Sequence, residues 1–280
     1  MLVSLYTVRV ILDVLGVEDY GIYSVVGGIV SFFSFLSGTM ASATQRFFSF
    51  ALGQDDEGRL KRTFSVNIIV YIAIAVLAML LLETLGLWFV NDALQVPAAR
   101  FDAAKWVFHF SVLTFFVTIL RTPFMAIIIA HEDMHLYAYI SIIEVTLKLL
   151  VVFLLVYLPG DKLEVYGALL FVVSVITSLV YILLCFKKYK ECQLRTFYWD
   201  RLLFNEIVGF TSWTLFGQLT SVFRTHGITI LLNQYFSPVV VAAKAISANI
   251  TSQINVFSNN FNIGLYPPII KYYAAGEKKE

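Results

Sequence analysis

Thr211, Thr214, Gln218, Ser221, Thr225, Thr229 and Asn233 recur at steps of three and four, and Arg224 stands at the edge of the series. At 3.6 residues per turn this spacing draws one polar stripe along a helix, with Arg224 roughly 60° from Ser221. The chemistry open to such a stripe is recognition. Amides and hydroxyls hydrogen-bond a polar ligand, and a guanidinium grips an anion in bidentate geometry. Lys244, Ser247, Thr251, Asn255, Ser258 and Asn262 repeat the device, and Ser24, Gly28, Ser31, Gly38, Ser42, Gln45 and Ser49 repeat it more mildly. Small and hydroxyl residues also glue membrane helices together, at about 0.6–2 kcal/mol per hydrogen bond, so the mild stripe has two readings.

The cations are harder to account for as glue, because a central Arg or Lys costs on the order of 3 kcal/mol in lipid. Arg9, Arg46, Arg121, Lys148, Arg224 and Lys244 all fall inside apolar runs. Arg9 with Asp13, and Glu144 with Lys148, are i,i+4 pairs that can neutralise themselves, and Arg46 is near enough to a helix end to snorkel. Arg121, Arg224 and Lys244 have no acid at helical spacing, and they are the candidate cavity cations. Pairing with Glu83 or Glu206 of another helix is the structural alternative. Gln218, Asn255 and Asn259 are the candidate polar ligands, and Asp13 and His226 the candidates for ion coupling, although an interior histidine is commonly just hydrogen-bonded. Pro123 frees a carbonyl just after Arg121, as a hinge or as a tolerated kink.

No HExxH, nucleophile elbow, phosphate loop or carboxylate pair is present, so no catalytic residue, metal or cofactor is expected. Cys185 and Cys192 flank a lysine-rich stretch expected in a reducing compartment, which argues against a disulfide.

The elements that must carry these residues follow from hydropathy. The 280-residue chain is 59% hydrophobic and 14% charged, with net charge +1 and mean hydropathy +0.79. That is far outside the range of soluble domains, and no nucleic-acid partner is expected. A bilayer core about 30 Å thick takes about 20 apolar residues per helix, and alternation of the barrel type is absent. The pattern predicts an all-α, polytopic transmembrane bundle of about eight spans: 1–15, 20–50, 64–90, 103–130, 135–158, 165–187, 205–235 and 239–270. The first reads as the later part of a helix with its beginning missing, since "MLVSLYTVRVILDVLG" has neither the basic start nor the cleavage site of a signal peptide.

Basic residues set the expected orientation. Arg59, Lys61 and Arg62, then Lys187, Lys188, Lys190, Arg195 and Arg201, then Lys271, Lys278 and Lys279 all fall on one side, against Arg100, Lys105 and Lys162 on the other. The first side is expected to be cytoplasmic, together with the C-terminal end of the chain, and its lysines to contact anionic membrane lipids. A faint repeat at an offset of about 220 residues pairs Asp13 with Asn233, and the turn at 16–19 with that at 236–239. It divides the chain into a first lobe, 1–200, and the first two helices of a second, 201–280.

The stretches "LGVEDYGIYSVVGGIVSFFSFLSG", "ATQRFFSFALGQ", "RTPFMAIIIAHEDM" and "INVFSNNFNIGLYPPIIKYYAAGE" resemble polysaccharide flippases of the multidrug/oligosaccharidyl-lipid/polysaccharide (MOP) exporter superfamily, most closely the lipopolysaccharide and O-antigen export branch. The resemblance covers essentially the whole chain. It implies a fold of the MATE/MOP-flippase kind, two six-helix lobes around a central cavity, of which this chain supplies the first lobe and the start of the second. It further implies a bacterial inner-membrane protein that moves an undecaprenyl-pyrophosphate-linked oligosaccharide between leaflets, in functional association with glycosyltransferases and a polysaccharide polymerase. Arg121, Arg224 and Lys244 would then hold the diphosphate, and Gln218, Asn255 and Asn259 the glycan. The alternatives are a multidrug or cation antiporter of the same superfamily, with Asp13 as its acidic site, and a non-transporting fragment.

Overall fold

The computed structural model describes residues 2–93, 96–192, 198–235, 247, 251, 255, 258 and 261–276. No strand occurs among them. The helices are α1 (Leu2–Phe32), α2 (Ser34–Gly53), α3 (Glu57–Leu81), α4 (Phe101–Ala130), α5 (Met134–Tyr157), α6 (Lys162–Lys188) and α7 (Arg201–Tyr235), and residues 261–274 are helical as well. Their starts are written in short polar residues. Asp56 accepts from the Arg59 amide, Asp161 from the Leu163 and Glu164 amides, and Asp200 from those of Leu202 and Leu203, so each caps donors that would otherwise be orphaned.

The turn expected at 16–19 is a kink inside α1. Gly16 takes φ 78°, a left-handed conformation that a residue without Cβ adopts at little cost. The expected 20–50 helix breaks instead at Phe33, where the axes before and after diverge by 45°. α3 ends by widening into π-helical turns at Leu82–Gly86 and Phe89–Ala93. The first of these brings Gly86 against α4, where a Cβ would stand 2.8 Å from the Phe108 ring.

α4 is the centre of the bundle, packing on α6, α2, α3 and α1. Its buried Ala103, Ala104, Val107, Phe108, Val112 and Ile119 explain why: the small residues let neighbours approach and the large ones fill the gaps. α5 is peripheral and turns Tyr139, Ile142, Leu150, Phe153 and Tyr157 outward, as a lipid-facing helix should. Four helical stretches are long and apolar enough to cross a membrane, Glu57–Asp92, Ala98–Ala130, Met134–Tyr157 and Lys162–Lys188, and the bent pair Arg9–Val30 with Ser34–Gly53 makes a fifth. The all-α membrane bundle is thus observed, with four or five spans among the described residues where eight were expected. The turn at 236–239, half of the proposed repeat, lies outside the described residues.

Polar side chains gather at the two ends of the bundle. At one end Arg100 bridges Asp19, at 2.7 Å, and Asp161, tying the α1 kink and the start of α4 to the cap of α6. There Lys162 also donates to the carbonyls of Leu155, at 2.9 Å, and Leu158, at 2.7 Å, satisfying the open end of α5. At the other end, here called the basic end, Lys188 donates to Asp133 at 2.8 Å, Tyr189 also donates to Asp133, and His131 meets Glu191 at 2.5 Å. Burial alone would raise the Asp133 carboxyl, but the hydrogen bonds from Lys188 and Tyr189 outweigh it and hold it below the ordinary carboxylate value of 3.8. A depressed native value stabilises the fold above the unfolded value and loses that contribution as the pH falls through the native one. D133N is therefore expected to lower the thermal midpoint at pH 7, and the gap from wild type to close below about pH 4. A gap that persists in acid would show that the charge is not what Asp133 contributes.

Candidate functional site

α7 meets the bundle through α2 and α3, and the residues in contact lie toward the basic end. Leu203 and Ile207 are buried there. The Phe210 ring stands edge-on to Phe47, centroids 6.0 Å apart, and carries the Arg46 guanidinium 4.3 Å above it. Arg59 reaches Glu206 at 3.8 Å, Arg62 reaches Asp200 at 3.9 Å, and the Tyr198 amide donates to Ser65 at 3.5 Å. Beyond them Gly53 packs so closely on residues 271–274 that a Cβ would lie 2.5 Å from the Lys271 carbonyl oxygen, while Lys271 itself pairs with Glu132 at 2.8 Å.

Behind this seam α2 and α3 are locked together. Thr44 donates to Asn67 Oδ1 at 3.0 Å and so accepts from the Tyr71 hydroxyl, also at 3.0 Å, while the Asn67 amide donates to the Thr63 carbonyl. All three side chains are buried and mutually satisfied, which makes α2 and α3 a stiff wall for α7 to rest on.

The electrostatics of the seam are one-sided. α2 has no carboxylate, and the only acid on α7, Glu206, is taken by Arg59. Arg46 and Arg224 are exposed and have no acidic partner among the described residues. Gln218 and Asn255 are exposed as well. The fourteen residues from Phe210 to Arg224 put Arg224 about 21 Å along α7 from the level of Arg46, so the two cations mark a face and do not form a cluster. Lys244 and Asn259 lie outside the described residues, as does the side chain of His226.

Arg121 is placed elsewhere. It is on α4, 3.1 Å from Glu144 of α5, whose other oxygen holds Lys148 at 2.7 Å, and its guanidinium is 5.8 Å from the centre of the Tyr181 ring on α6. The structure thus neutralises Arg121 within the bundle and does not bring it to α7. The acids considered as its partners are engaged otherwise, Glu83 with His109 at 3.1 Å and Glu206 with Arg59. Asp13 and Arg9 are both exposed on α1, and no ion pair joins them. Sequence reasoning missed the Arg59 and Arg62 bridges, having read those residues only as orientation signals, although their place one turn into a capped helix set them up to face a neighbour.

A helical bundle with four or five membrane-length helices and ionic rims at both ends is a multi-pass membrane protein. Comparison with known proteins makes this more specific. The model of the family described as "Polysaccharide biosynthesis protein" matches residues 1–272, and the chain belongs to that family. No curated protein matches it. Among solved structures it is similar to an outward-facing multidrug resistance MATE family transporter of the MOP superfamily, with TM-score 0.75 and 14% identity, covering 98% of this chain and 59% of that one. It is also similar to a MOP superfamily transporter from Pyrococcus furiosus described as having a binding pocket of reverse polarity, with TM-score 0.70 and 13% identity, covering 98% and 61%. The fold is therefore that of MOP transporters, and the chain spans about three fifths of the length of these structures.

Proposed function

We propose that the chain forms part of a membrane transporter that flips a lipid-linked oligosaccharide, an undecaprenyl-pyrophosphate glycan, across the bacterial inner membrane during surface polysaccharide synthesis. The observation that carries this reading is the α2–α7 face, where Arg46 and Arg224 have no acidic partner among the described residues and the one carboxylate of α7, Glu206, is held by Arg59. A diphosphate brought into a medium of low dielectric needs fixed positive charge, and the uncompensated Arg46 and Arg224, with Lys244 further along the chain, supply it. The family match over residues 1–272 supports a role in polysaccharide synthesis. The contacts of α7 at the basic end, taken as cytoplasmic, correspond to a state closed toward the cytoplasm; separating Arg59 from Glu206 and Arg62 from Asp200 would open it for loading.

The test is the double variant R224A/K244A in the gene's own host. Surface polysaccharide, read on a stained gel, is expected to fall at least tenfold, since each lost charge-assisted contact is worth about 1.5–3 kcal/mol. Unchanged polysaccharide would sink the anion reading. It would also favour a cation antiporter, for which the exposed and unpaired Asp13 is the observation in hand; D13N would then be the variant that stops transport.

A further inference from the structure

Between α1, α2, α4 and α6 lies a pocket of about 250 Å³ that none of the described candidate residues lines. It sits at the 45° break of the bent span, where Tyr23, Gly27, Val30, Ser34 and Ser37 follow one helical face through the bend, and opposite the middle of α4 at Ser111 to Thr118. We propose that this pocket binds one sugar ring of the glycan. The inference rests on the reading of a lipid-linked oligosaccharide as cargo and adds a site for it within the α1–α6 bundle.

The state of the hydroxyls shows what chemistry the pocket offers. Ser37 donates to the Ser34 carbonyl at 2.9 Å, Ser111 to the Val107 carbonyl at 2.8 Å, and Thr118 to the Thr114 carbonyl at 2.8 Å. Their protons are spent on their own helices, and what they turn outward is lone pairs. The side chains of Ser34 and Thr114 have no hydrogen-bond partner among the described residues, and they can donate as well as accept. The ligand that matches is rich in O–H donors.

Charge and size exclude the other donors. No carboxylate lines the pocket among the described residues, so a cation taken out of water would stand there uncompensated. At about 30 Å³ per water, the volume holds several waters and is far too roomy for a bare ion. The remaining walls are apolar and partly aromatic: Phe115 on α4, and Tyr23, braced by an edge-on contact to Tyr166 at 4.9 Å. A neutral ring with hydroxyls at its rim and C–H groups on its faces meets both kinds of wall.

The test is thiol protection in the purified full chain, held in a detergent without a sugar headgroup. S111C and T114C are made separately and labelled with N-ethylmaleimide. The native Cys185 and Cys192 are buried, so labelling above that of the parent chain reports the new thiol. Methyl α-D-glucopyranoside, methyl α-D-mannopyranoside and N-acetylglucosamine serve as probes. At twice its dissociation constant, at least one is expected to slow labelling about threefold. G27L should abolish the protection while leaving the fold intact, because nothing lies within 4 Å of a Cβ built on Gly27. Labelling that no glycoside slows, labelling slowed equally by exchanging choline chloride for sodium chloride, or protection that survives G27L would each overturn the proposal. Binding is read here without transport, so its failure is distinct from failure of the R224A/K244A test.

Discussion

Replacing Arg100 by alanine is expected to lower the thermal midpoint of the purified protein by about 5 °C, corresponding to roughly 2–3 kcal/mol. The cause is the burial of its partner. Asp19 is 3% exposed; its Oδ2 takes the Arg100 hydrogen bond and its Oδ1 has no hydrogen-bond partner among the described residues. With Arg100 gone, that carboxylate stays buried beside the α1 kink, and Asp161, which shared the same guanidinium, loses its partner as well; removing one partner of a buried pair is what makes such pairs costly. Arg100 is about one-third exposed, 35% for its side chain, so water takes up part of the loss and keeps it below the roughly 3–5 kcal/mol of fully buried pairs. R100K keeps the charge but lacks the fork that serves two carboxylates at once, so it should fall between wild type and R100A. The double variant D19N/R100A removes the stranded charge and should recover most of the loss. If it is no better than R100A, the bridge contributes geometry and not charge.

What the sequence reveals and what it hides divides along one line: local pattern against contact between helices. α4, α5 and α6, expected at 103–130, 135–158 and 165–187, run 101–130, 134–157 and 162–188, because each is a long, predominantly apolar run closed by polar turns. α3 begins at Glu57 where 64 was expected, because hydropathy marks the membrane boundary while Asp56 caps the helix well outside it. The break at Phe33 has no proline to announce it and sits in a run as apolar as its neighbours. Membership of the polysaccharide biosynthesis family was legible in the motifs, since the family match spans nearly the whole chain. Arg121 shows the limit. Helical spacing tests only acids on the same helix, and Glu144 had already been given to Lys148, yet a carboxylate has two oxygens and Glu144 uses both. The serine and threonine hydroxyls of the pocket at the bend are likewise unreadable, because they come from two helices, α2 and α4, and only packing gathers them.

Glu144→Gln is the second variant with a large expected effect, and it also decides the standing of Arg121. Glutamine keeps the shape and loses the charge, leaving two cations near mid-membrane with no counterion. Lys148 is half exposed and can turn its ammonium away, whereas Arg121, 16% exposed, is held between α4, α5 and α6. The cost is set mainly by Arg121, at about 3 kcal/mol, and should show as a lower thermal midpoint. Adding R121L removes the stranded cation, and because buried ion pairs replaced by apolar groups of similar size are often neutral in stability, the double variant should return close to wild type. That stable double variant is then the right protein in which to measure polysaccharide export. If Arg121 binds the diphosphate, export is lost although the fold is sound. If its work is only to hold α4 against α5, export survives, and the anion site is left to the α2–α7 face. The geometry favours survival, because a guanidinium already shared between a carboxylate and a tyrosine ring has little left to offer a diphosphate, while Arg224 has no such partner among the described residues.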